Sequence, residues 1–194
     1  MGFAANGSSS GAAVGNSANG SNFGAAVGRS AVCNNKQYGS AIAAFSQQNR
    51  YGGHARSGDH LATSKQHAED VQWTGQTTTA TATELFLHGV SPNRCTVLAS
   101  SAIMFSGSAV AKEAATGDTK AWTFQGCIKR DAANNTVLVG AVTSTVIAED
   151  TGAAAWILTI EADDTNEAIK VTVTGEASHT IDWGVEAHLL DRLN

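Results

Sequence analysis

Apolar and polar residues alternate along the C-terminal two thirds of the chain with a period of two, which is typical of β-strands. Turn sequences at 91–93, 116–118, 134–135 and 163–166 separate the alternating segments. This pattern predicts about eight or nine strands in an antiparallel, jelly-roll-like β-sandwich over residues 70–194. The clearest apolar faces are Trp122, Phe124, Gly126 and Ile128; Trp156, Leu158, Ile160 and Ala162; Ile169, Val171 and Val173; and Ile181, Trp183, Val185, Ala187 and Leu189.

The large side chains on these faces predict the core of the sandwich, since a segment of this length with four tryptophans can bury a core of its own. The stretch 59–69 before it is polar, and we interpret it as a neck that is either one helical turn or irregular. The predicted core residues are Trp122, Phe124, Trp156, Leu158, Ile160, Trp183 and Val185.

A different pattern occupies residues 1–58, where a short unit repeats. The pentapeptide GAAVG stands at 11–15 and again at 24–28, and an aromatic residue precedes a glycine three times, at Phe23, Tyr38 and Tyr51. A fixed period with one aliphatic residue in each unit is typical of stacked rungs, each of which packs only against its neighbours. The in-phase positions, three residues after each glycine, are Val14, Val27, Ile42 and Ala55.

The composition of this segment decides what kind of rung it can form. Of residues 1–58, 39 are Gly, Ala, Ser or Asn, which leaves too little apolar volume for a private core. A disordered linker is the alternative, but a linker has no reason to keep aliphatic and aromatic residues in phase. The segment therefore predicts a short β-roll or β-prism whose rungs are completed by other copies around a threefold axis, that is, a homotrimer.

Charge is divided unevenly between the two parts. Residues 1–58 contain four basic residues and no acid, whereas the remainder contains eight basic and seventeen acidic residues. Four dispersed cations do not form a nucleic-acid footprint, so they predict attachment to an acidic protein surface, with Arg29, Arg50 and Arg56 exposed. The residues predicted to mediate trimerisation and attachment are Phe3, Val14, Phe23, Val27, Arg29, Tyr38, Ile42, Arg50, Tyr51 and Arg56.

The chain shows no signal for a membrane or for a disulfide framework. No run of eighteen apolar residues and no basic-then-apolar leader occurs, so we expect neither a membrane span nor a signal peptide. Three widely spaced cysteines, Cys33, Cys95 and Cys127, are expected to be free thiols, with Cys127 in the core.

Candidate catalytic and metal-binding groups are sparse. The acid pairs at 149–150 and 163–164 lie beside turn residues and are expected to be solvated or structural rather than catalytic carboxylates or calcium ligands. His54, Asp59 and His60 would meet their copies near a threefold axis, but histidines in a polar neck more often form ordinary hydrogen bonds. The sequence therefore predicts a protein that is not an enzyme and has no metal site and no cofactor.

Two long phrases resemble a known family. The phrase TTTATATELFLHG at 77–89, followed by the segment from VLVGAV to TIDW at 137–183, resembles a β-sandwich module of virion proteins of tailed bacteriophages. That module occurs in capsid-decorating and tail-fibre chains, often after Gly/Ala/Ser-rich repeats like those at 11–58. These repeats in turn resemble the head repeats of trimeric adhesins. The resemblance covers about residues 70–190 and implies a structural virion protein, assembled in the host cytoplasm.

The length of the repeat segment distinguishes the two functions that the resemblance implies. About four rungs, spaced by roughly 4.8 Å, project only about 20 Å, and no heptad repeat extends them. This favours a trimeric capsid-decorating (cement) protein bound to the major capsid protein or another virion protein. The alternative is a short tail or head fibre that binds a host cell-surface glycan or protein. Neither function implies a nucleic acid or membrane partner.

Overall fold

The computed structural model describes residues 6–7, 11–20, 24–33, 39–43, 47–48, 50–58 and 66–193. Within them the regular elements are strands, apart from one 3-10 turn at Thr151–Ala153, so the predicted all-β class is confirmed. The strands are β1 (Asn6–Gly7), β2 (Ala12–Val14), β3 (Asn19–Gly20), β4 (Ala25–Val27), β5 (Val32–Cys33), β6 (Ser40–Ile42), β7 (Gln47–Gln48), β8 (His54–Gly58), β9 (Gln66–Thr77), β10 (Thr83–Leu87), β11 (Cys95–Thr96), β12 (Ser101–Glu113), β13 (Thr119–Arg130), β14 (Thr136–Leu138), β15 (Thr143–Glu149), β16 (Ile157–Asp163), β17 (Ala168–Thr174) and β18 (Ile181–Leu193).

The N-terminal repeats form parallel rungs in two narrow sheets. Strands β2, β4, β6 and β8 pair in parallel in one sheet, and β1, β3, β5 and β7 pair in parallel in the other. Repeated residues are in register, so that Ala13, Ala26, Ala41 and Ala55 follow one another across the rungs. The repeat therefore places the same residue type at the same place in each rung.

Small residues fill the space between these two sheets. The in-phase aliphatics Val14, Val27 and Ile42 lie on the outer face instead, 42–57% exposed. Side chains alternate across a strand, so placing the alanines inside necessarily places their larger neighbours outside. The buried residues of the rungs are Ala18, Ala26, Ala31, Cys33, Ala41 and Ala55.

The turns of the rungs depend on glycine. Gly15 and Gly28 have φ angles of 135° and 133°, which side chains with a Cβ rarely adopt. A Cβ on Gly15 would also lie 2.3 Å from the carbonyl oxygen of Gly28 in the next rung. Repetition of the glycine thus allows consecutive rungs to stack closely.

The C-terminal part is a sandwich of two sheets. The large sheet contains β13, β12, β18 and β9 in that order, with β14 and β15 both pairing with β13, and it continues through β8 into the rungs. The second sheet consists of β10, β11 and β16 paired with β17. Strand β10 also pairs with β9 and so joins the sheets. The rungs and the sandwich therefore share one continuous hydrogen-bonded sheet.

The predicted irregular or helical neck at 59–69 is corrected in part, because strand β9 already begins at Gln66. The polar residues there pair with the end of β18, with Gln66 opposite Arg192 and His67 opposite Asp191. The ladder satisfies the backbone, so a polar sequence can continue a strand without an apolar face of its own. Residues 59–65 lie outside the described part of the chain.

The core lies between the two sheets of the sandwich, and three tryptophans in contact lie at its centre. The ring centroids of Trp122 and Trp183 are 5.9 Å apart, and those of Trp156 and Trp183 are 6.1 Å apart. Six of the seven residues predicted for the core are buried, and Leu158 is half-buried against them.

Cys127 corrects the sequence-based expectation for its position. It is half-buried on the outer face of β13, opposite the exposed Met104, because Phe124 and Ile128 of the same strand face inward. Cys33 and Cys95 are buried, and none of the three cysteines forms a disulfide bond.

Candidate functional site at the joint

A buried ion cluster joins the rungs to the sandwich. Arg50 Nη1 lies 2.7 Å from Glu69 Oε2, and Arg50 Nη2 lies 2.9 Å from Asp191 Oδ2. Arg50 Nε donates to the carbonyl oxygen of Thr96 at 3.1 Å. The prediction that Arg50 is an exposed attachment residue is therefore wrong: it is 2% exposed and binds carboxylates that are distant in sequence.

Further titratable groups surround this cluster. His67 Nδ1 lies 3.5 Å from Asp191 Oδ2, and His67 is itself buried. Burial by itself would raise the pKa of Asp191, but the charge of Arg50, hydrogen bonds from His67 and Arg50, and the charge of His67 together outweigh it and hold that pKa below its ordinary value. Burial raises the pKa of Cys95 to about 12, which keeps this thiol protonated.

Next to the turn that follows Arg50, a pocket of about 210 Å³ opens to solvent; we call it the joint pocket. The turn after Arg50 forms one of its walls, and this turn requires glycine at Gly52. Its φ angle is 65°, and a Cβ there would lie 1.9 Å from Nε2 of His88. The residues lining the pocket are Gly52, His54, Asp70, Val71, Gln72, His88 and Glu186.

Asp70 is held in place by two basic side chains. Arg56 contacts both of its oxygens, Nε to Oδ2 at 2.9 Å and Nη2 to Oδ1 at 3.0 Å. His188 Nδ1 lies 3.0 Å from Asp70 Oδ1 and 2.8 Å from Arg56 Nη2. Since the guanidinium only donates and the carboxylate only accepts, His188 Nδ1 can satisfy one of these contacts at a time, depending on its tautomer. Arg56 is exposed as expected, but it is engaged within its own chain.

The joint pocket contains two carboxylates on adjacent strands. Asp70 of β9 lies opposite His188, and Glu186 of β18 lies opposite Gln72, so the two acids are diagonal neighbours on one face. Two carboxylates in one pocket supply groups capable of acid–base chemistry. Sequence reasoning missed this pair because only the pairing of β9 with β18 brings the two residues together.

The acid pairs considered from the sequence have structural roles. Asp163 Oδ1 accepts hydrogen bonds from the backbone N–H groups of Thr165 and Asn166, which closes a turn. Glu149 Oε2 lies 2.7 Å from Lys120 Nζ, and Asp150 Oδ2 accepts from the N–H group of Thr119 at 2.9 Å. Both pairs thus serve local structure, as the sequence suggested.

Two further predicted attachment residues, Arg29 and Tyr51, differ in exposure. Arg29 is exposed, while Tyr51 is half-buried and packs against the core of the sandwich. The role of Tyr51 in attachment therefore stays a prediction. Three other aromatic residues, Phe3, Phe23 and Tyr38, lie outside the described residues.

Of the three residues considered for an ion site near a threefold axis, only His54 is among the described residues, and its Nδ1 lies 2.7 Å from Ser40 Oγ. Asp59 and His60 lie outside the described part of the chain. In the part of the chain that the structure describes, no group of three or more His, Cys, Asp or Glu side chains could hold a metal ion. Over the same residues, no helix is long and apolar enough to span a bilayer.

Comparison with known proteins gives similarity at the level of structure. No protein-family model and no curated protein matches the sequence. One similar structure is the tailspike protein gp49 of Acinetobacter baumannii bacteriophage Fri1, described as a capsular polysaccharide depolymerase, with 9% identity and a TM-score of 0.41 over 90% of this chain and 30% of that protein. Another is the tailspike protein of Acinetobacter phage vB_ApiP_P1, with 10% identity and a TM-score of 0.21 over 84% of this chain and 38% of that protein.

At a coarse level the chain is therefore similar to β-rich virion proteins of phages, and it spans less than half the length of either one. The expectation that it is not an enzyme is corrected, because one of the similar proteins is described as a depolymerase. The cement function predicted from the sequence gains no support from these similarities.

Proposed function

We propose that this chain is a self-associating component of a phage virion that contacts the glycan surface of the host, which is the alternative of the two functions expected from the sequence. The observation that carries this proposal is the joint pocket, which presents carboxylate, imidazole and amide groups to solvent. Such groups both donate and accept hydrogen bonds and are suited to a ligand rich in hydroxyls. The coarse similarity to tailspike proteins agrees with it.

The attachment surface predicted for a cement protein loses two of its three arginines. Arg29, Arg50 and Arg56 were expected to face an acidic surface, but Arg50 is buried in an ion cluster and Arg56 is paired with Asp70. An arginine whose charge is already balanced within its own chain offers little attraction to a partner.

Location on the particle tests the function directly. Gold-labelled antibodies against the sandwich, applied to phage particles that contain this chain, are expected to label the tail or a vertex-attached fibre. Uniform labelling of the head shell would overturn the proposal in favour of capsid decoration.

Self-association is supported by the outer face of the rungs. Val14, Val27 and Ile42 form an in-register apolar row that one chain leaves exposed. Burying each of these side chains between copies would contribute about 1.5–3 kcal/mol, and a row that repeats with the rungs suits copies packed side by side around a threefold axis.

Replacing this row with serine is expected to separate the copies. In light scattering the parent chain should have about three times the 19.9 kDa mass of one chain, whereas the Val14→Ser/Val27→Ser/Ile42→Ser variant should have the mass of one. Val90→Ser/Val137→Ser is the matched control, because these valines are similarly exposed on the sandwich. A monomeric parent, or equal dissociation of the control, would contradict the assembly.

A further inference from the structure

Two polar rows start at the joint pocket and cross the outer face of the large sheet. Register places one row on six adjacent strands: His54, Asp70, His188, Ser106, Gln125 and Thr143. It places the second row beside the first on five of these strands: Gln72, Glu186, Ser108, Thr123 and Thr145. We call the two rows together the polar belt.

We propose that the polar belt binds an extended, neutral, hydroxyl-rich polysaccharide chain that runs across the strands. This inference rests on the proposed function and names its ligand class and site. Each residue of the belt carries a hydroxyl, amide, carboxylate or imidazole group, so the belt presents an unbroken series of hydrogen-bonding groups. All are exposed except Asp70 and Ser106, which are half-buried.

The surface along the belt is grooved rather than flat. The joint pocket shares Gln72 and Glu186 with a second depression of about 380 Å³, which also contains Ser108. A third depression, of about 230 Å³, is lined by Thr123, Gln125, Thr143 and Thr145, at the far end of the same two rows. The depressions thus follow the belt from the rungs to strand β15.

Small side chains create the central depression, and apolar ones border it. Gly184 lies opposite Val110, which lies opposite Ala121, in the row next to the belt, and a bulky residue at either small position would narrow the groove. Exposed Val110 and Ile147 line the same depression. Sugar rings have apolar C–H faces as well as hydroxyl edges, and the two kinds of surface meet here.

The length of the belt favours a polymer over a single sugar. Six strands separated by roughly 4.8 Å span about 24 Å, so several consecutive units of a linear chain can lie along it. A compact ligand would occupy one depression and leave the others unused.

The net charge of the polar belt determines whether neutral or acidic polysaccharides bind it more tightly. Arg56 balances Asp70, while the carboxylate of Glu186 has no cationic partner among the described residues. The belt therefore has a slight negative excess, which disfavours a polymer rich in carboxylates. We accordingly expect neutral chains to bind more tightly than acidic ones.

The test uses the full-length chain on an array of purified bacterial capsular and O-antigen polysaccharides. The Ser108→Trp/Thr123→Trp variant fills the groove, and Lys112→Trp, at an exposed position on β12 outside the belt, is the control. The parent and the control are expected to bind at least one neutral polymer, and the groove-filled variant should bind it about tenfold or more weakly.

The possible results distinguish failure of the polar-belt proposal from failure of the proposed function. If the groove-filled variant binds the same polymer as well as the parent, the belt is overturned while the host-surface function stands. If the parent binds only acidic polymers, or none, the proposed ligand is wrong, and antibody labelling of particles still decides the function independently. If filling the groove instead separates the copies in light scattering, the belt is an interface between copies and the inference fails.

Discussion

Arg50→Met is expected to lower the free energy of unfolding by about 3–5 kcal/mol, which is the usual cost of removing one partner from a buried ion pair. The side chains of Glu69 and Asp191 are fully buried, and Arg50 contacts both of them. Methionine preserves much of the apolar stem of arginine but leaves two carboxylates without their cation. The large effect therefore comes from the stranded charges rather than from lost volume.

Arg56→Met is the matched control, since it removes the same group from an exposed pair with Asp70, in which the arginine side chain is 58% exposed. Surface ion pairs contribute about 0–1 kcal/mol, so this variant should change stability little. Urea denaturation followed by circular dichroism measures both variants. Equal losses in the two would show that the buried cluster is not the stronger connection between rungs and sandwich.

Acid titration provides a second measurement on the same cluster. In the parent chain the pKa of Asp191 is below its ordinary value of 3.8, so the folded state binds the proton less readily than the unfolded state. This contribution to stability is present above about pH 3.8 and is lost as the pH falls below it through the folded-state pKa. Without Arg50, only His67 still opposes the effect of burial, so in Arg50→Met the pKa of Asp191 should rise and the stability that Asp191 loses on acidification should diminish.

The architecture of the sandwich was predictable because one physical rule determines it. Alternation places every second residue on the same face, and the apolar positions from Ile181 to Leu189 are all buried on β18 as that rule requires. The same parity argument would also have placed Cys127 outside, since it lies between the inward-facing positions of β13. The repeat of the rungs is visible in the sequence. Whether alanine or valine faces inward, however, depends on the distance between the two sheets, which the sequence does not specify.

The candidate site could not be predicted in the same way, because strand order creates it. Asp70 and Glu186 lie near opposite ends of the sandwich sequence and become neighbours only where β9 pairs with β18. Arg50 lies in a segment without acids, and its partners belong to strands at both ends of the sandwich. Local pattern and composition carry no information about such pairings, whereas the registers of five strand pairs fix every member of the polar belt.

Trp183→Ala is also expected to destabilise the chain by about 3–5 kcal/mol, because it removes the central ring of the core. Trp183 packs against Trp122 and Trp156, so its loss leaves a cavity bordered by two large rings that cannot collapse independently. Its Nε1 donates a hydrogen bond to Thr77 Oγ1 at 2.9 Å, and Thr77 is itself buried. The substitution therefore removes apolar contacts and leaves a buried hydroxyl without its donor.

Two variants separate these contributions in the same denaturation experiment. Thr77→Val keeps the ring but leaves the indole N–H unpaired, and it should cost about 1–3 kcal/mol. Ile147→Ala removes a large apolar side chain that is 60% exposed, and it should change stability by no more than about 0.5 kcal/mol. If Trp183→Ala were no more destabilising than Ile147→Ala, the ring could not occupy the centre of the core. A loss in Thr77→Val as large as that in Trp183→Ala would instead assign the effect to the hydrogen bond, because only the indole N–H is unpaired in that variant.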